Sequence, residues 1–219
     1  MELERVGLRQ YSLPFDWIIS EDFQLVLKMI ENGFQYFTDK TCLRQETEVN
    51  NAYYYNKVCK VHFYHDFDVS TPFDMQHASF KEKYQRRIDR FYETISNPTI
   101  FIRYCNDADE ARFIKDNKMK IETFLKTFNA YNEIVYICQE KNYLTRNDKC
   151  YYVTADKNDT VSRKFLKKAP DLSIYLKTVS GASKRDIQKN KNYYYKKQWK
   201  KIWGKIQRTV KGIYKSKPL

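Results

Sequence analysis

The stretch Val61-His62-Phe63-Tyr64-His65-Asp66-Phe67-Asp68 decides how the chain is interpreted. Its first half alternates strand-forming residues at a period of two, and its second half presents an imidazole beside two carboxylates. In an open α/β sheet the ligand crevice lies beyond the carboxyl ends of the strands, so His65 and Asp66 would stand where a site forms. The alternative is a strand that runs into an ordinary polar turn.

Other apolar runs of the chain predict further strands, and amphipathic patterns separate several of them. The predicted buried strands are 99–104, 133–139, 150–154 and 172–176. The predicted helices are 21–37, one that opens at the capping box Ser79-Phe80-Lys81-Glu82, and one that follows Asn106 and reaches Phe128. This alternation predicts an α/β fold with a largely parallel sheet and helices on both faces, in three layers. Residues 38–60 lack a clear period and are interpreted as a long excursion with a short strand near 53–58.

The basic charge of the chain is concentrated at its carboxyl end. The 219 residues carry a net charge of +13, and residues 183–219 account for +12 of it, with 13 Lys and Arg against Asp186 alone. We therefore predict a single α/β domain at 1–182 and a basic amphipathic helical tail at 183–219.

Apolar residues of this tail recur at helical spacing. Those that share one face are Trp199, Ile202, Trp203, Ile206, Val210, Ile213 and Tyr214. Two interpretations remain open. The apolar face docks on the domain while the lysines stay solvated, or the helix binds an anionic membrane surface or another polyanion through Lys196, Lys197, Lys200, Lys201 and Lys205.

The five cysteines predict free thiols. Their number is odd and their spacing matches no metal site: Cys42, Cys59, Cys105, Cys138 and Cys150. With no signal peptide and no long uncharged apolar run, a cytoplasmic location is expected, with a peripheral position at the inner face of the membrane as the alternative. No cofactor is expected. A metal site at His62 and His65 is disfavoured because residues three apart on a strand face opposite ways.

Several motifs together resemble one protein family. They are Gly7-Leu8-Arg9, Ser12-Leu13-Pro14-Phe15-Asp16-Trp17-Ile18, His65-Asp66-Phe67, Tyr84-Gln85-Arg86-Arg87-Ile88-Asp89-Arg90-Phe91 and Phe101-Ile102-Arg103. The chain resembles, over roughly residues 5 to 140, a poorly characterised bacterial family described as papain-like cysteine peptidases. In that family a strand and a segment with the nucleophilic cysteine precede the helix that leads to the Pro-Phe-Asp-Trp motif. This sequence begins inside that helix, and none of its five cysteines stands at the family position.

The resemblance thus implies a family member that is inactive or truncated at its amino end, and it leaves enzyme activity undecided. If the domain is active as a cysteine-peptidase-like hydrolase or acyl-transfer enzyme, His65 would be its base and Asp66 or Asp16 would orient the imidazole. Arg103 and Trp17 would bind the substrate. The second hypothesis is a membrane-surface or glycan-assembly accessory protein that uses its tail, and the third is non-specific nucleic-acid binding.

Overall fold

A computed structural model describes residues 2–9, 11–48, 51–68, 70–105, 107–139, 144–153, 165–179 and 183–215. Its helices are α1 (Glu2–Arg5), α2 (Phe23–Glu31), α3 (Phe73–Ile95), α4 (Ala108–Lys126), α5 (Phe165–Lys168), α6 (Pro170–Val179) and α7 (Lys184–Lys215). Its strands are β1 (Ile19–Ser20), β2 (Leu43–Glu48), β3 (Asn51–Asn56), β4 (Val61–Phe63), β5 (Ile100–Tyr104), β6 (Glu133–Cys138) and β7 (Cys150–Tyr152). Short 3-10 turns lie at Pro14–Trp17, Lys40–Cys42 and Arg146–Asp148.

The strand of the opening stretch, β4, belongs to a four-stranded antiparallel sheet with the order β1-β4-β3-β2. The prediction of a largely parallel, three-layered sheet is therefore wrong. The prediction failed at residues 38–60, which were interpreted as a long excursion with one short strand but contain β2 and β3, two of the four strands of this sheet. Antiparallel neighbours need only a short connection, so β2 and β3 pair from Leu43 opposite Asn56 to Glu48 opposite Asn51 within a polar, tyrosine-rich sequence.

A smaller, three-stranded sheet is parallel and has the order β5-β6-β7. Ile100 pairs with Glu133 and Tyr136 pairs with Cys150, so the strands predicted at 99–104, 133–139 and 150–154 are confirmed apart from their ends, and Thr154 lies outside the described residues. The burial predicted for them holds for β6 and most of β7, whereas β5 is half-buried along its whole length. The helix α4 connects β5 to β6, which is the connection that parallel neighbours require.

The strand predicted at 172–176 is wrong, because these residues lie within the helix α6. Leu172 and Leu176 are buried whereas Ile174 is 65% exposed, which is the spacing of a helix face and not of a strand face. The helix start was also readable, since Pro170 and Asp171 occupy the first turn, where proline and an acidic residue are favourable.

The core of residues 12–162 is strongly aromatic and is organised by α3. This helix begins at Phe73, directly after Pro72, and not at the capping box predicted at Ser79. Its buried face is the predicted one, consisting of Phe80, Tyr84, Ile88, Phe91 and Ile95. Phe63 of β4 meets this face, with its ring centroid 5.1 Å from that of Phe80 and 5.4 Å from that of Tyr84.

The second helix of this core, α2, is shorter than the 21–37 predicted. It begins after Asp22, whose carboxylate accepts a hydrogen bond from the Leu25 amide, and it ends at Glu31. Gly33 and Phe34 then adopt positive φ angles of 65° and 60°, which no right-handed helix can contain. Phe34 lies in this turn and Phe37 follows it, and both remain part of the core.

The chain forms two compact units, residues 12–162 and residues 1–11 together with 163–219. The division predicted at residue 182 stays a prediction. In the second unit α1 packs on α7, and α5 packs on α6. Among the described residues, no helix combines the length and the apolar character needed to cross a membrane.

Candidate functional site

His65 lies in the bend that follows β4, with its side chain exposed to solvent. Its ring meets the indole of Trp17 edge to face, with centroids 6.3 Å apart and planes at 86°. No side chain or backbone group of the described residues makes a hydrogen bond with this imidazole. His65 and Trp17 were both predicted as site residues, and the structure brings them together across 48 residues of sequence. The result is an accessible imidazole with one aromatic wall.

Asp66 points the other way, into the domain, where only 3% of its side chain is exposed. Its carboxylate accepts hydrogen bonds from the Lys83 ammonium at 2.7 Å and from the Tyr84 hydroxyl at 3.0 Å. Burial, and then the adjacent Asp66 carboxylate, raise the pKa of Tyr84, so this phenol stays protonated and donates. Asp66 therefore fixes the bend at 64–66 to α3 and does not hydrogen-bond to the His65 ring.

Asp16 occupies the 3-10 turn that carries Trp17. Its Oδ2 accepts a hydrogen bond from the Leu13 amide at 2.5 Å, which is the local capping role that short acidic side chains often have. Phe15 of the same turn packs on Phe91 of α3, with ring centroids 5.6 Å apart, and on Phe34 at 5.3 Å. The Pro14–Trp17 turn is thus anchored on the core helix, and Trp17 is presented to His65 from a supported position.

Arg103 of β5 lies in a different part of the same unit. Its Nε and Nη2 donate to the Glu110 carboxylate at 2.5 and 2.9 Å, and its Nη1 donates to the Ser20 hydroxyl at 2.6 Å. The side chains of Arg103 and Glu110 are 13% and 6% exposed, respectively. The guanidinium is therefore engaged in a buried bidentate pair that ties β5, α4 and β1 together, and nothing places it beside His65.

His62 forms a second imidazole contact that the sequence did not reveal. Its Nε2 lies 2.5 Å from Oε1 of Glu21, and the Tyr55 hydroxyl donates to Oε2 of the same carboxylate at 3.2 Å. The pairing of β1 with β4 explains the contact, because Ile19 lies opposite His62 and Glu21 directly follows β1. This cluster belongs to the antiparallel sheet, and His62 and His65 do not converge on one point.

All five cysteines are buried, with residual exposures of 6% or less. Burial, followed by the nearby Cys42 thiol, raises the pKa of Cys59 to about 12. A hydrogen bond to Cys105, with an Sγ to Sγ distance of 3.1 Å, raises the pKa of Cys138, and a hydrogen bond to Cys138 raises the pKa of Cys150. Thiols with raised pKa values and no solvent access are poor nucleophiles.

The residues that support the site were only partly visible in the sequence. Tyr84 was identified as a member of the core face, but its hydroxyl contact with Asp66 had no signal, and Lys83 had none at all. The proximity of Glu110 to Arg103 could have been predicted. The helix α4 begins shortly after β5 ends, so its first turn, which contains Glu110, lies near the carboxyl end of that strand. Among the described residues, no group of three or more His, Cys, Asp or Glu side chains converges in a way that could hold a metal ion.

Comparisons with known proteins identify a family for the chain. A family profile described as "Putative papain-like cysteine peptidase" matches residues 1–133. The uncharacterized protein R408 of Acanthamoeba polyphaga mimivirus is 33% identical over 144 residues, which cover 56% of this chain and 60% of R408. No solved structure matches the chain. A bacterial origin stays a prediction, since this relative is viral. Because the family profile covers more than half of the sequence, the chain belongs to the family that this profile describes.

Proposed function

We propose that this chain is a hydrolase or acyl-transfer domain in which His65 acts as the general base. The observation that carries the proposal is the accessible His65 imidazole, held edge-on against Trp17 beside a buried Asp66. Two motifs that are far apart in the sequence supply these residues, and both belong to the resemblance to the peptidase family. A base of this kind must lie within about 3 Å of the proton donor that it activates, and an exposed ring leaves room for one.

In the proposed reaction, His65 removes a proton from the attacking group as that group adds to an acyl carbonyl carbon. The proton then passes to the leaving group as the acyl bond breaks, so the imidazole is regenerated. The five cysteines of this chain are poor candidates for the attacking group, because they are buried and three have raised pKa values. In this proposal the acceptor supplies it: water for hydrolysis, or a hydroxyl or amine for acyl transfer.

Asp66 and Trp17 act as positioning residues in this proposal. Lys83 and Tyr84 hold the Asp66 carboxylate, and this contact fixes the bend from which His65 projects. Trp17 restricts the ring on one side and offers an aromatic surface to an acyl substituent. Arg103 has no part in the step, because its guanidinium is engaged with Glu110 and Ser20.

The hydrolysis of p-nitrophenyl acetate by the full chain tests this proposal. Loss of a general base typically lowers the rate by about 100-fold or more, so His65→Ala should remove most of the rate above background. His77→Gln is the matched control, because His77 bonds the Thr38 carbonyl oxygen at 2.8 Å and lies in α3. An unchanged rate in His65→Ala, or equal losses in both variants, would overturn the assignment.

Alkylation by iodoacetamide near neutral pH tests the statement about the thiols separately. All five cysteines should react slowly in the folded protein and rapidly after unfolding, with the same pattern in wild type and His65→Ala. A cysteine that reacts rapidly only when His65 is present would show a thiol–imidazole pair. That result would return the nucleophile to this chain.

A further inference from the structure

The outer face of α7 carries a continuous apolar stripe. It consists of Tyr195, Trp199, Ile202, Trp203 and Ile206. These positions follow one another at the i, i+4, i+7, i+8 and i+11 spacing of a single helix face. The exposed fractions of Trp199 and Trp203 are 68% and 60%, and the other three lie between 46% and 52%. A helix of a soluble protein normally buries such a face, so this exposed stripe indicates a surface that binds a partner.

The opposite face of α7 is already occupied by the beginning of the chain. Asn190 donates to the Gly7 carbonyl oxygen at 3.0 Å, and Lys197 forms an ion pair with the buried Glu4 at 2.9 Å. Gly7 lies so close to Ile187 that a Cβ atom on it would approach the Ile187 carbonyl oxygen to 2.4 Å. The positions 187, 190 and 197 share a face that lies away from the stripe, so residues 2–8 hold the helix from behind and leave the stripe accessible.

Lysines flank the stripe and continue onto the face behind it, since Lys196 and Lys200 follow its edge whereas Lys197 and Lys201 share the face of Asn190. Lys196, Lys197, Lys200 and Lys201, together with Tyr193, form a shallow groove of about 460 Å³. The side chains of Lys205, Val210, Ile213 and Tyr214, which the sequence also assigned to this helix, lie outside the described residues. The whole segment 183–219 carries +12. An occupant of this surface must therefore combine an apolar layer with a dense negative charge.

We propose that α7 docks flat on an anionic lipid bilayer, with its apolar stripe at the boundary between headgroups and acyl chains. Trp199 and Trp203 suit the interfacial level because indole rings have both an apolar body and a polar N–H group. Ile202 and Ile206 reach further toward the acyl chains, and the bordering lysines contact the phosphates. This inference is independent of the reaction proposed for His65.

Two other occupants fit the same surface less well. A second copy of the chain would bring another +12 against the first, which opposes close pairing of the two stripes. A nucleic acid would satisfy the lysines and stack on the tryptophans, but it would leave Ile202 and Ile206 without apolar partners. A bilayer surface is the occupant that uses the isoleucines, the tryptophans and the lysines together.

Flotation of the full chain with lipid vesicles tests the proposal. Vesicles with about 30 mol% phosphatidylserine should bind the chain at least tenfold more strongly than vesicles of phosphatidylcholine alone. The double variant Trp199→Ala/Trp203→Ala should lower binding to the anionic vesicles roughly tenfold, and Lys196→Gln/Lys200→Gln should lower it by a smaller factor. Tyr131→Ala is the matched control, because Tyr131 is 77% exposed and lies outside the tail. Its binding should equal that of wild type.

Three results would overturn the proposal. The chain could stay unbound with both kinds of vesicle. It could bind vesicles with no loss in the tryptophan variant, which would leave only charge attraction. Finally, the wild-type chain could fail to bind vesicles but form a dimer or bind polyuridine RNA, and the tryptophan variant could lose that interaction. Circular dichroism of each variant must match wild type, so that a loss of helix is not mistaken for a loss of docking.

Discussion

The helices α3 and α7 share one sequence pattern but have opposite surroundings. Both are long and amphipathic, and each places aromatic residues on one face. On α3 the residues of this face are covered, with Phe80 at 1% and Tyr84 at 0% exposure, whereas on α7 both tryptophans lie mostly in solvent. The pattern of a helix therefore predicts that an apolar face exists, but not what covers it.

The reason for the difference lies in the neighbours that each helix finds within its own unit. The strand β4 places Phe63 against α3, and the turns before and after α2 add Phe15 and Phe34. In the other unit, residues 2–8 contact α7 at Ile187 and Asn190 and through the ion pair of Glu4 with Lys197, so they cover a face other than the stripe. Four substitutions test how far this contrast extends.

The largest effect is expected from Phe80→Ala in α3. Removing a fully buried phenylalanine ring leaves a cavity among Phe63, Phe67 and Tyr84, so the free energy of unfolding should fall by about 3–5 kcal/mol. Urea denaturation measures this change. Met119→Ala in α4 serves as the control, because Met119 is 72% exposed and its loss should shift stability by no more than about 0.5 kcal/mol. Similar losses in both variants would break the contrast.

Arg103→Ala extends the comparison from apolar to charged groups. The change leaves the buried Glu110 carboxylate without its bidentate partner, so unfolding should become easier by about 3 kcal/mol. Arg112→Ala removes a cation from an exposed pair with Asp109 in the same helix and should cost less than about 1 kcal/mol. Thermal unfolding near neutral pH compares the two. Equal costs would show that burial of the Arg103–Glu110 pair has no special importance.

Asp148→Asn tests the ion pair between Asp148 and Lys118, in contrast to the exposed lysines Lys196 and Lys200 of α7. Burial tends to raise the pKa of Asp148, but hydrogen bonds from Lys118 and Thr145 outweigh it, and the pKa lies below its usual value of 3.8. The carboxylate therefore stabilises the fold above pH 3.8, and this contribution disappears as the pH falls through the lowered pKa. The variant should be less stable by about 1 kcal/mol at neutral pH and equal to wild type in strong acid. A difference that persists in strong acid would contradict this account.

The smallest effect is expected from Trp203→Ala in α7. Because this indole is 60% exposed, the free energy of unfolding should change by no more than about 0.5 kcal/mol in the absence of lipid. A large loss would mean that the stripe is covered in solution, and the contrast with α3 would then fail. Chemical denaturation of the full chain without vesicles provides the measurement.

The sequence predicted local elements better than their assembly. The runs at 99–104 and 133–139 are continuous and apolar, so two neighbouring parallel strands could be predicted, although only β6 is buried and β5 is half-buried throughout. The hairpin of β2 and β3 could not, since its strands carry polar residues and tyrosines with little apolar alternation. The segment 172–176 failed because a short apolar run fits both periods, and the deciding signals, Pro170 and Asp171, lay just before it.

The candidate site was predictable to the same limited degree. His65 and Trp17 were identified, and their contact follows from the pairing of β4 with β1, which follows the Pro14–Trp17 turn directly. The orientation of Asp66 could not be predicted, because it depends on how a bend turns after the strand ends. The hydrogen bonds of Arg103 with Glu110 were not predicted for a related reason, because they depend on how the first turn of α4 returns towards the end of β5.

The two edge strands of the antiparallel sheet are poor templates for aggregation. A sheet edge offers unpaired backbone groups to any other extended chain, and long apolar edges recruit copies of themselves. Here β1 spans only two residues, and β2 has the sequence Leu-Arg-Gln-Glu-Thr-Glu, in which charged and polar side chains dominate. A strand from another molecule would bury little apolar surface against β2 and could form few backbone hydrogen bonds with the two residues of β1. The tyrosine-rich interior strand β3, which would be the more adhesive template, is shielded by neighbours on both sides.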